Sequence, residues 1–206
     1  MKLRGALLLL ALGGCAPEYE PKLEQGEANK VTQSGRTKTA VFAGGCFWCT
    51  EADFDKMPGV LSTVSGYTGG SRANPTDEQV SRGGTGHIEA VRVEYDPTKV
   101  SYATLARRFF RTIDPLDGGG QFCDRGDQYR SALFVAGPEQ RRIAEAEKAG
   151  AAKALGKPVA TAILPAARFY PAEGYHQNYY KKNPIRYRFY RFNCGRDARL
   201  GKVWGG

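Results

Sequence analysis

Cys46 stands directly behind Gly44-Gly45 and directly before Phe47-Trp48, and Cys49 follows three residues later. The residues before it, Thr39 to Ala43, have the β-branched and apolar character of a short buried strand, and those after Trp48 keep helical spacing up to Pro58. A thiol at such a strand-to-helix junction feels the positive end of the helix dipole and free backbone N–H groups, so Cys46 is expected as a reactive thiolate. The plainer alternative is a buried structural cysteine. Glu89 shares parity with Val91, Val93 and Tyr95 on an alternating segment, which places its carboxyl on the apolar side. Burial there would keep it protonated and able to donate, the alternative being an exposed acid at a strand end. Together they would pair a nucleophilic thiol with a group able to protonate a leaving atom.

The elements that must hold these groups follow from the chain's punctuation. Strands are expected at 39–44, 60–67, 87–95, 129–136 and 158–164, and helices at 48–56, from Ser101 to Ile113, at 138–155 and at 176–182. Two Gly-rich stretches, 68–86 and 116–127, read as long loops of the kind that carry function. With no internal repeat, the pattern is that of one α+β domain with a mixed sheet and helices on its faces.

The 206 residues are enough for one such domain. Residues 1–14 read as a signal peptide, with basic Lys2 and Arg4 ahead of a short apolar run. Leu12-Gly13-Gly14-Cys15 resembles a bacterial lipobox, which would make Cys15 a lipidated anchor, with ordinary signal cleavage as the alternative. Residues 15–37 then form a polar tether, leaving 38–206 as the folded domain. The expectation is export to the periplasmic side of the envelope, with the outer membrane favoured by resemblance to sorted lipoproteins, since Ala16 rather than an acid follows Cys15. The formal charge is +9, much of it in a tail where Lys181, Lys182 and Arg186 to Arg199 interleave with Tyr187, Phe189, Tyr190 and Phe192. Stacking on single-stranded nucleic acid is one use of such a pattern. In an exported protein a solvated tail wrapping the domain is the reading adopted, with no nucleic-acid partner. Cys46, Cys49, Cys123 and Cys194 form one close pair and two singles, a poor match to structural zinc, so no metal or other cofactor is expected.

Gly45-Cys46-Phe47-Trp48-Cys49-Thr50-Glu51 resembles the GCFWxxE signature of the peptide methionine sulfoxide reductase A family. The likeness continues through Gly66-Tyr67-Thr68-Gly69-Gly70, Asn74-Pro75-Thr76, Gly86-His87-Ile88-Glu89-Ala90-Val91, Tyr95-Asp96-Pro97, Asp124 to Ser131 and His176-Gln177-Asn178-Tyr179. In order and spacing it covers about residues 38 to 184. The resemblance implies a two-layer, ferredoxin-like core and reduction of the S epimer of methionine sulfoxide in an oxidised peptide or protein. Cys46 would then attack the sulfoxide sulfur, Glu89 protonate the departing oxygen, and Asp124 and Tyr129 hydrogen-bond the oxygen or orient Glu89. Phe47 and Trp48 would receive the S-methyl group.

The family commonly carries tyrosine where this chain has Asp77, so Tyr67 or a water would have to supply the missing hydroxyl, unless Tyr67 simply packs in its strand. The sulfenic acid left on Cys46 needs a second thiol. Cys194 resembles a tail resolving cysteine and is preferred, Cys49 is the runner-up provided that Cys46 sits at the very helix N-terminus, and Cys123 is third. A thioredoxin-like protein would reduce the disulfide, and the enzyme is expected to act as a monomer. Three other readings compete with this one: a thiol–disulfide oxidoreductase using Cys46 and Cys49, a zinc-stabilised binding module, and nucleic-acid binding by the tail.

Overall fold

The structure, a computed structural model, describes residues 37–205; the expected signal peptide, Cys15 and most of the tether lie outside them. The chain runs β1 (Lys38–Gly44), α1 (Phe47–Phe54), β2 (Val60–Thr68), α2 (Asp77–Ser81), β3 (Ile88–Tyr95), α3 (Tyr102–Arg111), β4 (Gly120–Gln121), β5 (Asp124–Arg125) and β6 (Ser131–Val135). It continues through α4 (Pro138–Leu155), β7 (Ala162–Pro165), β8 (Tyr170–Pro171), α5 (Tyr179–Lys182), α6 (Pro184–Asn193) and α7 (Arg196–Trp204). Six strands form one mixed sheet in the order β7-β6-β1-β3-β2-β8, antiparallel except for the β6–β7 pair. Its central part, β6-β1-β3-β2 with α1 and α3 as the crossovers, is the split βαβ arrangement of ferredoxin-like folds.

Strand alternation builds the core. Ala40 and Phe42 of β1, Val91, Val93 and Tyr95 of β3, and Leu133 and Val135 of β6 all belong to the main buried cluster with α1 and α3. Phe42 is its hub, with ring centroids 4.7 Å from Phe54 and 5.2 Å from Phe109. Truncating such a buried ring costs about 3–5 kcal/mol. Ser101 starts α3 by accepting from the Thr104 N–H at 3.1 Å, and α4 runs from a Gly-Pro start to Gly156 in the left-handed conformation.

Several elements depart from the sequence expectation. The 68–86 stretch contains α2, nucleated by a reciprocal capping box between Thr76 and Gln79. The 116–127 stretch contains the two-residue hairpin strands β4 and β5. The expected strand 129–136 begins only at Ser131, because Gly126 (φ 116°) turns the chain into a 3-10 turn at Asp127–Tyr129. The expected strand 158–164 pairs only over Ala162–Pro165, and the expected helix 176–182 is helical only from Tyr179. The largest correction is the tail, which is not a solvated wrap but two helices, α6 and α7. Tyr187 is buried with Cys49 and Ala52, and Arg196 is 2% exposed. Among the described residues no helix is long and apolar enough to cross a membrane.

Candidate active site

Gly45 makes the corner at the end of β1. Its φ is +78°, and a Cβ there would come within 2.5 Å of Gln121 Cβ, so only glycine fits. Cys46 follows as the N-cap residue of α1, and its carbonyl accepts from the N–H groups of Cys49 and Thr50. Glu89 reaches the same place from β3, only 5% exposed, and its Oε2 accepts from the Phe47 N–H at 3.0 Å. Burial pushes the Glu89 carboxyl well above the usual range, outweighing that hydrogen bond, and the acids Asp124 and Asp77 push it the same way.

Cys46, Phe47, Trp48, Asp77, Ser81, Glu89, Asp124, Tyr129, His176 and Tyr190 line one cavity of about 210 Å³. Cys46, Glu89, Asp124, Tyr129, Phe47 and Trp48 are thus brought together as candidates. A larger cavity of about 570 Å³ lies at the other end of β1, around Thr39, Tyr95 and Gln140, and holds neither a thiol nor a histidine. Trp48 is held flat against Tyr179 (centroids 3.8 Å apart) and donates from Nε1 to His176 Nδ1 at 2.9 Å. His176 Nε2 lies 3.4 Å from the Asp77 carboxylate. Asp77, where the family commonly has tyrosine, therefore faces the histidine ring across the cavity wall.

Tyr67 does not line the cavity. It is fully buried and its hydroxyl donates to Glu173 Oε2 at 3.0 Å, so the expectation of a substrate contact gives way to a packing role. Three residues of the cavity were not identified from sequence as lining it: Ser81 at the end of α2, His176 and Tyr190. His176 lies in a quoted motif, whereas Tyr190 lay in the apparent tail, where its only signal was aromatic residues among arginines.

The thiols also differ from expectation. Burial pushes the Cys46 thiol well above its ordinary value, followed by the effects of Cys49 and Glu89, so the helix start does not make a resting thiolate of it. Cys49 is instead drawn down to about 7, first by its hydrogen bond with Cys46, then by Arg196 and Arg191, against the cost of burial. Cys194 is bonded to Cys123 across 71 residues, with Cα atoms 4.8 Å apart, while Cys46 and Cys49 are free. The preferred resolving thiol, Cys194, is therefore already engaged in this state, and the free thiol beside Cys46 is Cys49. The same bond takes Cys123 and Cys194 out of any four-thiolate zinc site.

Glu51, the last residue of the signature, is fully buried and accepts from the Asn178 N–H at 2.9 Å, steadying a residue at φ 54° two positions after His176. Burial pushes its carboxyl up to about 7. His87 is likewise architectural, accepting from Gly70 N–H and contacting the Arg72 carbonyl across the 68–86 segment.

A family model described as "Peptide methionine sulfoxide reductase" matches residues 38–205. Peptide methionine sulfoxide reductase MsrA 2 of Rhizobium meliloti is 55% identical over 166 residues, 81% of this chain and 83% of that protein. The MsrA 2 of Caulobacter vibrioides is 56% identical over 172 residues, 83% of this chain and 87% of the relative. Among solved structures, reduced Mxr1 from Saccharomyces cerevisiae aligns with a TM-score of 0.71 at 32% identity, covering 74% of this chain and 89% of that one. Methionine sulfoxide reductase A of Corynebacterium diphtheriae gives 0.66 at 38% identity, covering 73% and 77%. Mxr1 in complex with Trx2 aligns at 0.51 with 23% identity, covering 71% and 87%, a likeness of fold.

Proposed function

The chain belongs to the peptide methionine sulfoxide reductase family, and from that membership we propose how its own residues divide the work. The protein is an oxidoreductase that reduces methionine sulfoxide. The single observation that carries the assignment of roles is the meeting of Cys46 and the buried Glu89 carboxyl in one cavity walled by Phe47 and Trp48.

Cys46 gives up its proton and attacks the sulfoxide sulfur, while Glu89 donates a proton to the oxygen as charge grows there. The oxygen passes to Cys46, whose sulfur is oxidised by two electrons as the substrate sulfur is reduced by two. Methionine leaves, Cys46 holds a sulfenic acid, and the proton released by Cys46 restores Glu89. Asp124 and Tyr129 orient the oxygen from the β5 side, and Phe47 and Trp48 hold the S-methyl group. Selectivity is for the S epimer.

Cys49 resolves the intermediate. Its sulfur, whose ionisation is favoured near pH 7, attacks the sulfenic sulfur, the hydroxyl leaves as water with the proton that Cys49 gives up, and a Cys46–Cys49 disulfide remains. Cys46 at the N-cap meets the geometric condition for a Cys-x-x-Cys bridge. The reductant is a thioredoxin-like dithiol, in keeping with the yeast relative Mxr1 having been solved with Trx2. The protein acts as a monomer at the periplasmic face of the envelope, anchored through a lipid on Cys15; Cys15→Ala then moves it from the membrane to the soluble fraction.

The test of the reaction is consumption of separate S and R epimers of a methionine sulfoxide peptide with dithiothreitol, wild type beside Cys46→Ser. Loss of the S epimer alone, abolished by Cys46→Ser, is expected. A folded wild-type protein that consumes neither overturns the reading.

A further inference from the structure

Tyr190 enters the cavity from α6, a helix outside the 38–184 stretch that carries the resemblance. Its hydroxyl donates to Asp124 Oδ2 at 2.5 Å, and it lines the same cavity as the Cys46 thiol, whose ionisation it favours. Its ring meets Trp48 edge-on with centroids 5.5 Å apart, so the side chain is fixed from two sides. Four residues further on, Cys194 is tied to Cys123, the neighbour of Asp124. One disulfide therefore joins the segments that carry the two members of the Tyr190–Asp124 pair.

Among the described residues, the cavity beside Cys46 is lined by no lysine or arginine that could hold a thiolate. The titratable groups that face it are Cys49 of α1, Glu89 of β3, Asp124 of β5, Tyr129 of the 3-10 turn and Tyr190 of α6, with Asp77 and His176 at the far wall. The two arginines that act on a thiol here, Arg196 and Arg191, act on Cys49. Burial, Cys49 and Glu89 all oppose ionisation of Cys46, and Tyr190 is the group that favours it.

We propose that Tyr190 is a catalytic residue whose hydroxyl hydrogen-bonds the Cys46 sulfur and stabilises the thiolate that attacks the sulfoxide, with Asp124 as its positioning partner. No bond of Tyr190 is broken; its proton turns from Asp124 towards Cys46 as the thiol ionises.

This inference rests on Cys46 being the nucleophile, and its test reads that thiol without requiring turnover. The rate of Cys46 alkylation by iodoacetamide is measured against pH in the full chain, by peptide mass spectrometry, for wild type and Tyr190→Phe. Phenylalanine keeps the ring on Trp48 and removes only the hydroxyl. The expected result is a Cys46 profile displaced to higher pH by about one unit or more, as loss of a hydrogen bond to a charged group implies. The neutral-pH rate of the first methionine released falls about tenfold or more, with KM within about threefold. A Tyr190→Phe protein with the wild-type alkylation profile overturns the proposal. So does a loss of first-turnover rate that comes with an unshifted profile, since that outcome assigns Tyr190 to the pocket wall alone.

Discussion

The backbone N–H of Phe47 donates to Glu89 Oε2 at 3.0 Å, which fastens the acid on β3 to the first residue of the helix that begins at the nucleophile. Thiol and acid are thereby aligned by a contact in which neither participates with its reacting atom. The remaining carboxyl oxygen is left to carry the proton. Glu89→Gln keeps an acceptor for Phe47 and removes the acid, so the first-turnover rate should fall about 10²–10⁴-fold in a protein of native circular dichroism. Because the Glu89 carboxyl is raised, the wild-type rate declines as pH climbs through that raised value and the proton is lost. The variant lacks that alkaline limb. A Gln variant with more than half the wild-type rate would remove Glu89 from the role of donor.

The assignment of resolution to Cys49 is checked by counting methionine released without reductant. Cys49→Ser should release one methionine per chain and retain a sulfenic acid trapped by dimedone at Cys46. Wild type should release one methionine and show a Cys46–Cys49 disulfide on peptide mapping. Cys123→Ser/Cys194→Ser should still form that disulfide. A Cys46–Cys194 linkage in oxidised wild type would instead mean that the Cys123–Cys194 bond exchanges during turnover.

Glu51 gives a prediction about stability and pH. Its carboxyl has an ordinary value of 4.5 and is pushed up to about 7 in the fold, so between these limits the folded state binds more protons than the unfolded. Stability from this group is therefore full below about pH 4.5 and is lost as pH rises through 7. Urea unfolding at pH 5 and pH 8 should show wild type losing about 1–3 kcal/mol more than Glu51→Gln over that interval. Parallel losses in the two proteins would place the titration elsewhere.

Arg196 donates to the carbonyls of Gly44 (3.3 Å) and Thr112 (2.7 Å), lies 3.8 Å from Asp53 and covers the Phe122 ring. Arg196→Met leaves those carbonyls without their donor and should cost about 3–5 kcal/mol in urea unfolding. Where the protein remains folded, the Cys49 thiol should titrate at higher pH and the sulfenic acid on Cys46 should persist longer. The release of the first methionine should be unaffected. A loss below about 1 kcal/mol would show that α7 is held chiefly by its apolar contacts.

The parts of the molecule governed by local rules could be read from the chain. Gly44-Gly45-Cys46 marks the corner between β1 and α1, the parity of Glu89 with Val91 marks its inward face, and Gly137-Pro138 and Gly156 bracket α4. What escaped depends on contacts between distant segments. The α6 sequence, Pro184 to Asn193, carries Ile185, Phe189 and Phe192 outward as well as Tyr187 and Tyr190 inward, so no single apolar stripe announces a packed helix. The Cys123–Cys194 bond spans 71 residues and has no sequence signature. Tyr67 shares the parity expected of a buried strand residue, but Glu173, 106 positions away, turns its hydroxyl from the cavity.

The cavity beside Cys46 encloses about 210 Å³, smaller than the roughly 300–1,000 Å³ that receives a drug-sized molecule. A volume of that size suits a single side chain. A methionine oxidised inside a folded client must first leave its own core, so the enzyme samples its clients in proportion to how often they open locally. Damage in a rigid region goes unrepaired until it loosens its surroundings, whereas damage in a frayed terminus or mobile loop is reached at once. The small size of this one cleft thus ties the order of repair to the flexibility of the client.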